Sequence, residues 1–458
     1  MRQCYDAPHL GSHKLTQRIT TVAVSPSGHA CPPSGAPVEP SDRVSSIDVL
    51  RGAAVLGILL MNIVGLGLPF AAYEDPSIAG NQAPIDYWVW AANAVVSDGK
   101  FRAIFSMLFG AGVVLLAQRV ERRAPADAGD IHLRRNLWLA VAGVVHAYFL
   151  LWPGEILFTY AIAGLPLFVF RRLRPRTLIL LGTLVLALQA PRAAIQNAEG
   201  AQALATLRRL DVERGNIGAL TPAQDAMYTE AMNTLADEKP PAAALRESIE
   251  NHRAGYLTNF TSAAGANLYL QSMYLYKIGF WDAVGPMLFG MALLKLGVLS
   301  AARSPRFYLM MAAAGYGLGV PLNIWTVADW TRHGFDAGAR WVSLDDLTRM
   351  LIAFGHIAVV MLLCKATAAA SLLLPLNAAG RMALTNYVMQ TVIAVLLFSG
   401  FGLGWFGSLA RHQLYYVVAA IWAVQLIASP LWLRAFRFGP LEWLWRSLTY
   451  RRWQPFRI

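Results

Sequence analysis

The chain has 458 residues, of which 56% are hydrophobic and only 14% charged, and its formal net charge is +12. A soluble protein of this length divides into about two or three domains, but here the apolar residues gather in membrane-length runs, so one polytopic membrane domain is expected. The positive charge does not point to nucleic acid, because most arginines sit in short segments beside apolar runs, as topology determinants do.

The three cysteines, Cys4, Cys31 and Cys364, are scattered and give neither a disulfide framework nor a metal site. Residues 1–42 are rich in Ser, Pro, Gly and His and contain no apolar h-region, so a disordered tail without a secretory signal peptide is expected. Its dispersed His9, His13, His29 and Cys31 do not make a metal site by composition.

The first membrane-length segment, about 49–69, opens with Asp48-Val-Leu-Arg51-Gly52 and carries Asn62. Asp48 and Arg51 have helical neighbour spacing, and Asn62 follows Arg51 by close to three turns at ~3.6 residues per turn, on one stripe. That puts an amide roughly halfway through a hydrocarbon core of about 30 Å, where its partner must come from a bundle. Residues 69–84 read as a loop, and 85–96, with Trp88 and Trp90, as an interfacial helix.

Further segments are expected at about 101–118, 136–151, 155–170 and 175–191. Residues 192–265 are polar and Ala-rich, a helical loop domain outside the bilayer. Segments at about 278–297, 307–327, 347–365, 382–400 and 412–433 complete the membrane domain of 43–436, and 437–458 forms a cytoplasmic interfacial tail. With the N-terminus inside, the cytoplasmic links hold Arg119, Arg122, Arg123, Arg171 and Arg172, whereas Trp152-Pro-Gly-Glu155 has no base. The fold class expected is all-α, a polytopic transmembrane helical bundle of about ten helices with both termini cytoplasmic.

Polar groups inside such a bundle are candidates for function. His146, His356 and Gln390 fall within apolar segments. The plainer reading of each is a hydrogen bond to a neighbouring helix, worth about 1 kcal/mol. Glu155 opens a helix, where capping is the plain role and general base or proton partner the sharper one. Asp48 and Arg51 form either an ion pair at the membrane edge or a pocket for a phosphate-bearing donor. Thr385 and Asn386 lie just inside an apolar boundary, and the Trp, Arg and Tyr residues of 438–450 suit an anchoring helix. Asn259-Phe-Thr261 matches a glycosylation sequon, which matters only in a secretory pathway.

Several stretches together resemble the YeiB-like family, a bacterial inner-membrane family of unknown function. They are Asp48-Val-Leu-Arg51-Gly52, Phe109-Gly110-Ala-Gly112, His146 with Trp152-Pro-Gly-Glu155, Gly380-Arg-Met-Ala-Leu-Thr-Asn-Tyr387 with Gln390, and Gly439-Pro-Leu-Glu-Trp-Leu-Trp-Arg446. The opening motif is also similar to that of the wider transmembrane acyltransferase superfamily. In acyltransferase family 3 a His follows the Asp and Arg-Gly at the position of Asn62. The Asn instead matches the heparan-alpha-glucosaminide acetyltransferase branch, whose active His, about three turns further on, is here Tyr73. Should acyl chemistry persist, His146 is the substitute.

The function the resemblance implies is transfer of an acyl or acetyl group from acyl-CoA or acetyl-CoA to an envelope or sugar-like acceptor such as a glycan, at a bacterial inner membrane. No tightly bound cofactor, metal or nucleic acid is called for. In that scheme His146, Glu155 and Asn62 are the catalytic candidates, and Asp48, Arg51, Asn386 and Gln390 line the donor site. The rival functions are a small-metabolite transporter and a non-catalytic envelope scaffold acting through the 192–265 loop.

Overall fold

A computed structural model describes residues 45–235, 240–335 and 344–458; the expected tail at 1–42, with His9, His13, His29 and Cys31, lies outside the described residues. Regular structure among the described residues is helical, with one isolated bridge between Phe436 and Arg457. In chain order the helices are α1 (Ser45–Gly67), α2 (Pro84–Val96), α3 (Lys100–Arg123), α4 (Ala128–Phe149), α5 (Leu157–Phe170) and α6 (Pro175–Ala187). The 192–265 region is built from α7 (Gln189–Ile217), α8 (Pro222–Leu235), α9 (Ala242–Arg253) and α10 (Tyr256–Tyr269). After a π-helical stretch at Leu270–Gly279 come α11 (Phe280–Lys295), α12 (Pro305–Arg332), α13 (Asp345–Lys365), α14 (Ala370–Arg381), α15 (Ala383–Phe398), α16 (Arg411–Ala435) and α17 (Pro440–Tyr450).

Local chemistry sets several of these boundaries. α6, α12 and α17 each begin with a proline, whose fixed φ suits the first helical position and whose missing N–H costs nothing there. Ser304 caps α12 by accepting the Phe307 N–H at 3.3 Å.

Each apolar segment read from the sequence coincides with a helix. By length and apolarity seven helical runs among the described residues suffice to cross a membrane, or eight if α14 and α15 form one broken span bent by 80°. α5 is a shorter apolar helix, and α4, with Asp130, Arg134 and Arg135 in its first turns, is outside that set. The molecule is an all-α membrane bundle.

α1 is the axis of the bundle and packs on α3, α13, α14, α15 and α16. Its contact with α14 is backbone to backbone. A Cβ on Gly52 would overlap the Leu376 carbonyl, and one on Gly380 would overlap the Asp48 carbonyl. Small residues that let backbones touch are how helices associate where lipid provides no hydrophobic drive. The α3–α11 crossing repeats the device, with Gly110 against the Met287 carbonyl and Gly290 against that of Met107. Three of the family stretches, those holding Gly52, Gly110 and Gly380, thus mark helix crossings.

The 192–265 region docks on the end of the bundle where α1 finishes. His252 stacks on Phe406 with ring centroids 4.0 Å apart, and Arg253 Nε donates to the Phe406 carbonyl at 2.8 Å. The Asn267 amide donates to the Ala147 carbonyl at 2.9 Å, tying α10 to α4.

Candidate functional site

The site lies where α4 ends and the chain turns towards α5. Leu151 takes a positive φ of 54°, an uncommon conformation for a non-glycine residue, and so swings Trp152 inward. Trp152 is 2% exposed and packs in one apolar cluster with Leu59 and Ile63 of α1 and Ala394 of α15. The turn Phe70–Tyr73 covers it, with the Phe70 and Trp152 rings stacked at 6.0 Å. Tyr73 lies in this cover with its ring against Gly65.

His146, 1% exposed on α4, points at α15. Its Nε2 is 2.9 Å from the Thr391 hydroxyl, and its ring stands edge-on to Tyr387 at 5.1 Å. Tyr387 and Thr391 are one turn apart on one face of α15. Three polar atoms here are buried and have no hydrogen-bond partner: His146 Nδ1, Trp152 Nε1 and the Tyr387 hydroxyl. The Tyr387 hydroxyl lies beside the Trp152 indole and the Ile156 backbone without hydrogen-bond alignment to either, and Glu155 is close by. Leaving one such atom unpaired costs about 1–3 kcal/mol. Concentrating three in one place is a burden that packing alone does not explain.

The expected residues are placed as follows. The Glu155 carboxylate accepts the Leu157 N–H at 2.7 Å and the Phe158 N–H at 3.1 Å, so it caps α5, and the Gln271 amide donates to it at 3.3 Å. The hydrogen-bond partner of His146 is Thr391 rather than Glu155. Asn62 is 4% exposed and lies between Leu59 and Ile63 in the chain, both members of the cluster around Trp152; among the described residues no hydrogen bond links it to His146. Asp48 and Arg51 form an ion pair of 2.7 Å at the opposite end of α1.

Asn386 and Gln390 belong to a separate network that ties four helices together. The Asn386 amide donates to the Ala379 carbonyl at 3.1 Å and the Ser429 hydroxyl at 3.0 Å. Gln390 donates to the Val55 carbonyl and to Gln425 Oε1, each at 3.0 Å, while Gln425 donates to the Asn386 carbonyl at 2.8 Å. This network bridges α1, α14, α15 and α16 next to the α14–α15 bend. His356 is likewise engaged at both ring nitrogens, by Tyr316 at 2.7 Å and the Val96 carbonyl at 2.8 Å.

Glu442 of the tail is more than an anchor. Its carboxylate accepts the N–H groups of Leu384 at 2.6 Å and Thr385 at 3.1 Å and the Thr385 hydroxyl at 2.6 Å, capping α15 from another helix. Burial pushes this carboxyl above the usual carboxylate range, against the pull of the Thr385 donors.

One cluster has no counterpart in the sequence reading. Asp282 at the start of α11 pairs with Arg349 of α13 at 2.5 Å and Arg102 of α3 at 3.4 Å, and Arg349 also meets Asp346 at 2.7 Å. These charges stand at helix starts far apart in the chain, where each reads as a segment boundary, and no spacing rule links them.

The chain is 32% identical over 420 residues to the uncharacterized protein YeiB of Escherichia coli K12, a match covering 90% of this chain and 98% of the relative. It belongs to the YeiB-like family. The family described as "Protein of unknown function (DUF418)" matches residues 293–452, a region that runs from α11 through α17 and includes the α15 face presented to His146. Another YeiB-like relative, the uncharacterized protein YxaH of Bacillus subtilis 168, is 30% identical over 433 residues, covering 92% of this chain and 97% of the relative. An uncharacterized 39.9 kDa protein from the amylase 3′ region of Bacillus acidopullulyticus is 27% identical over 419 residues, with 92% and 97% covered. No solved structure matches.

Proposed function

We propose that this YeiB-like protein is a membrane acyl- or acetyl-group transferase, crossing a bacterial inner membrane with ten helices and both termini in the cytoplasm. Its donor is an acyl thioester, acyl-CoA or acetyl-CoA, entering at the Asp48/Arg51 end. Its acceptor is an envelope or sugar-like hydroxyl compound that enters over the Phe70–Tyr73 turn. The observation that carries this reading is the convergence of three unpartnered buried polar atoms, His146 Nδ1, Trp152 Nε1 and the Tyr387 hydroxyl, beside Glu155.

Thr391 on Nε2 leaves Nδ1 as the nitrogen that meets the acceptor. Nδ1 takes the hydroxyl proton as the acceptor oxygen bonds to the acyl carbon. The carbon–sulfur bond breaks, and the departing thiolate takes that proton from the imidazolium. The Trp152 and Tyr387 donors, with the Asn62 amide, steady the developing oxyanion. Glu155 fixes the start of α5 and so the floor of the site, and Asn386 and Gln390 brace α15 from its other face without meeting the reacting groups.

Purified protein incubated with acetyl-CoA and envelope glycans tests the reading. Wild type should transfer the acyl group, and His146→Ala should lose about 10²–10⁴-fold, the usual worth of a general base. Equal transfer by the two proteins would end the proposal.

One observation favours a second reading. The Arg102–Asp282–Arg349–Asp346 cluster is a set of ionisable groups inside a membrane bundle, where such groups commonly serve ion or proton coupling. A small-metabolite transporter predicts substrate flux in proteoliposomes without an acyl donor, abolished by Asp282→Asn.

A further inference from the structure

Three of the stretches that carry the family likeness, 48–52, 109–112 and 439–446, meet around a group of arginines at the end of the bundle where α1 begins. The Arg135 guanidinium of α4 lies 4.8 Å from the Trp445 ring and 5.6 Å from the Phe109 ring. Trp445 fixes the other end of the same residue by donating its indole N–H to the Arg135 carbonyl at 2.9 Å. Gly112 lies alongside this guanidinium, with Nη2 3.6 Å from where a Cβ would stand. The next tail residue, Arg446, lies 4.8 Å from the Phe438 ring. Arg51, Arg135 and Arg446 are near enough for their charges to act on one another, and all three are partly buried.

The nearby carboxylates have other hydrogen-bond partners, although the Glu442 charge also reaches Arg446. Asp48 holds Arg51, and Glu442 spends its oxygens on the start of α15. Among the described residues neither Arg135 nor Arg446 has an ion-pair partner. Aromatic faces support the flat side of a guanidinium and leave its N–H edge free, which is the edge that binds oxyanions in a bidentate manner. Charges of one sign packed together favour a counter-charge, and the tail helix holds these two in place without an ion-pair partner.

We infer that Arg135 and Arg446, with Arg51 at the rim, form a binding site for a phosphate ester. That chemistry has two sources at this position, the phosphates of a soluble donor such as acyl-CoA and the headgroup of an anionic lipid. The site deepens the donor end of the transferase reading and rests on it only for what the bound group is used for.

Full-length protein in neutral detergent, titrated separately with inorganic pyrophosphate, coenzyme A and phosphatidylglycerol and followed by its thermal midpoint, tests this. Wild type should be stabilised by at least one of the three, with binding that weakens as salt rises. Arg135→Gln and Arg446→Gln should each weaken that binding roughly tenfold or more, while Arg172→Gln, an exposed arginine paired with Glu121, leaves it unchanged. Trp445→Phe keeps both charges and should weaken binding about threefold by loosening the Arg135 shelf. It also serves if a glutamine variant fails to elute as a monodisperse peak. A response to pyrophosphate and coenzyme A assigns the soluble source, and a response to phosphatidylglycerol alone assigns the lipid. No response to any of the three, or an unaltered response in Arg135→Gln and Trp445→Phe, overturns the site. Binding without acyl transfer would remove the transferase reading and leave this site standing, whereas acyl transfer indifferent to both arginines would do the reverse.

Discussion

Two polar clusters sit on the same helix, α15, scarcely a turn apart, and they differ in how completely they are satisfied. Asn386 and Gln390 spend their amides on Ala379, Ser429, Val55 and Gln425, and the result is a brace across four helices. Tyr387 and Thr391 face the other way, to His146 and Trp152, and there three buried polar atoms go without partners. Both clusters would score alike as polar residues in an apolar run. Hydrogen-bond satisfaction separates them by degree: the bracing cluster leaves one buried atom, Gln390 Oε1, without a partner, whereas the cluster around His146 leaves three in one place and so has more to offer something else.

The largest expected departure between the clusters is in activity. Tyr387→Phe removes a hydroxyl that has only misaligned neighbours in the Trp152 indole and the Ile156 backbone, so acyl transfer should fall by about 10²-fold, near 2.7 kcal/mol on the barrier. The thermal midpoint should hold or rise, because an unpaired buried group is lost. A marked loss of stability without loss of activity would move Tyr387 into the bracing class.

Asn386→Ala should do the opposite. It forfeits the bonds to Ala379 and Ser429 and is expected to destabilise by about 1–2 kcal/mol, while the folded fraction keeps its activity. Denaturant or thermal unfolding with activity normalised to folded protein resolves the two effects. Equal damage to activity would show that the brace also shapes the donor path.

The smallest effect concerns the tail. The folded-state pKa of Glu442 is raised, so the stability it contributes is present in full below its ordinary value of about 4.3 and is lost as pH rises through the higher folded value. The thermal midpoint of wild type should therefore decline across that window, and the Glu442→Gln protein, which cannot ionise there, should show no such decline. Parallel profiles would mean that the carboxyl titrates normally and that α17 does not depend on it.

The helices were legible in the sequence because membrane-length apolar runs leave little choice of structure. The bend between α14 and α15 was not, since apolar residues continue on both sides of Arg381-Met382 and nothing local forces an 80° turn; it is held by Glu442, 57 residues or more away in the chain from the N–H groups it caps. His146 stood out as an ionisable group in an apolar run. Trp152, Tyr387 and Thr391 did not, because aromatic and hydroxyl residues in such runs usually pack. The available signal was the four-residue spacing of Tyr387 and Thr391, which sets both on one face. Arg135 and Arg446 read as topology charges, and only their aromatic supports and lack of partners mark them otherwise.

Side-by-side acyl-transfer rates of His146→Ala and Gln390→Ala, each normalised to folded protein and to wild type, test the division between the clusters most directly. The account predicts that the histidine variant loses transfer about 10²-fold or more while the glutamine variant keeps the wild-type rate. Comparable rates in the two variants would contradict it.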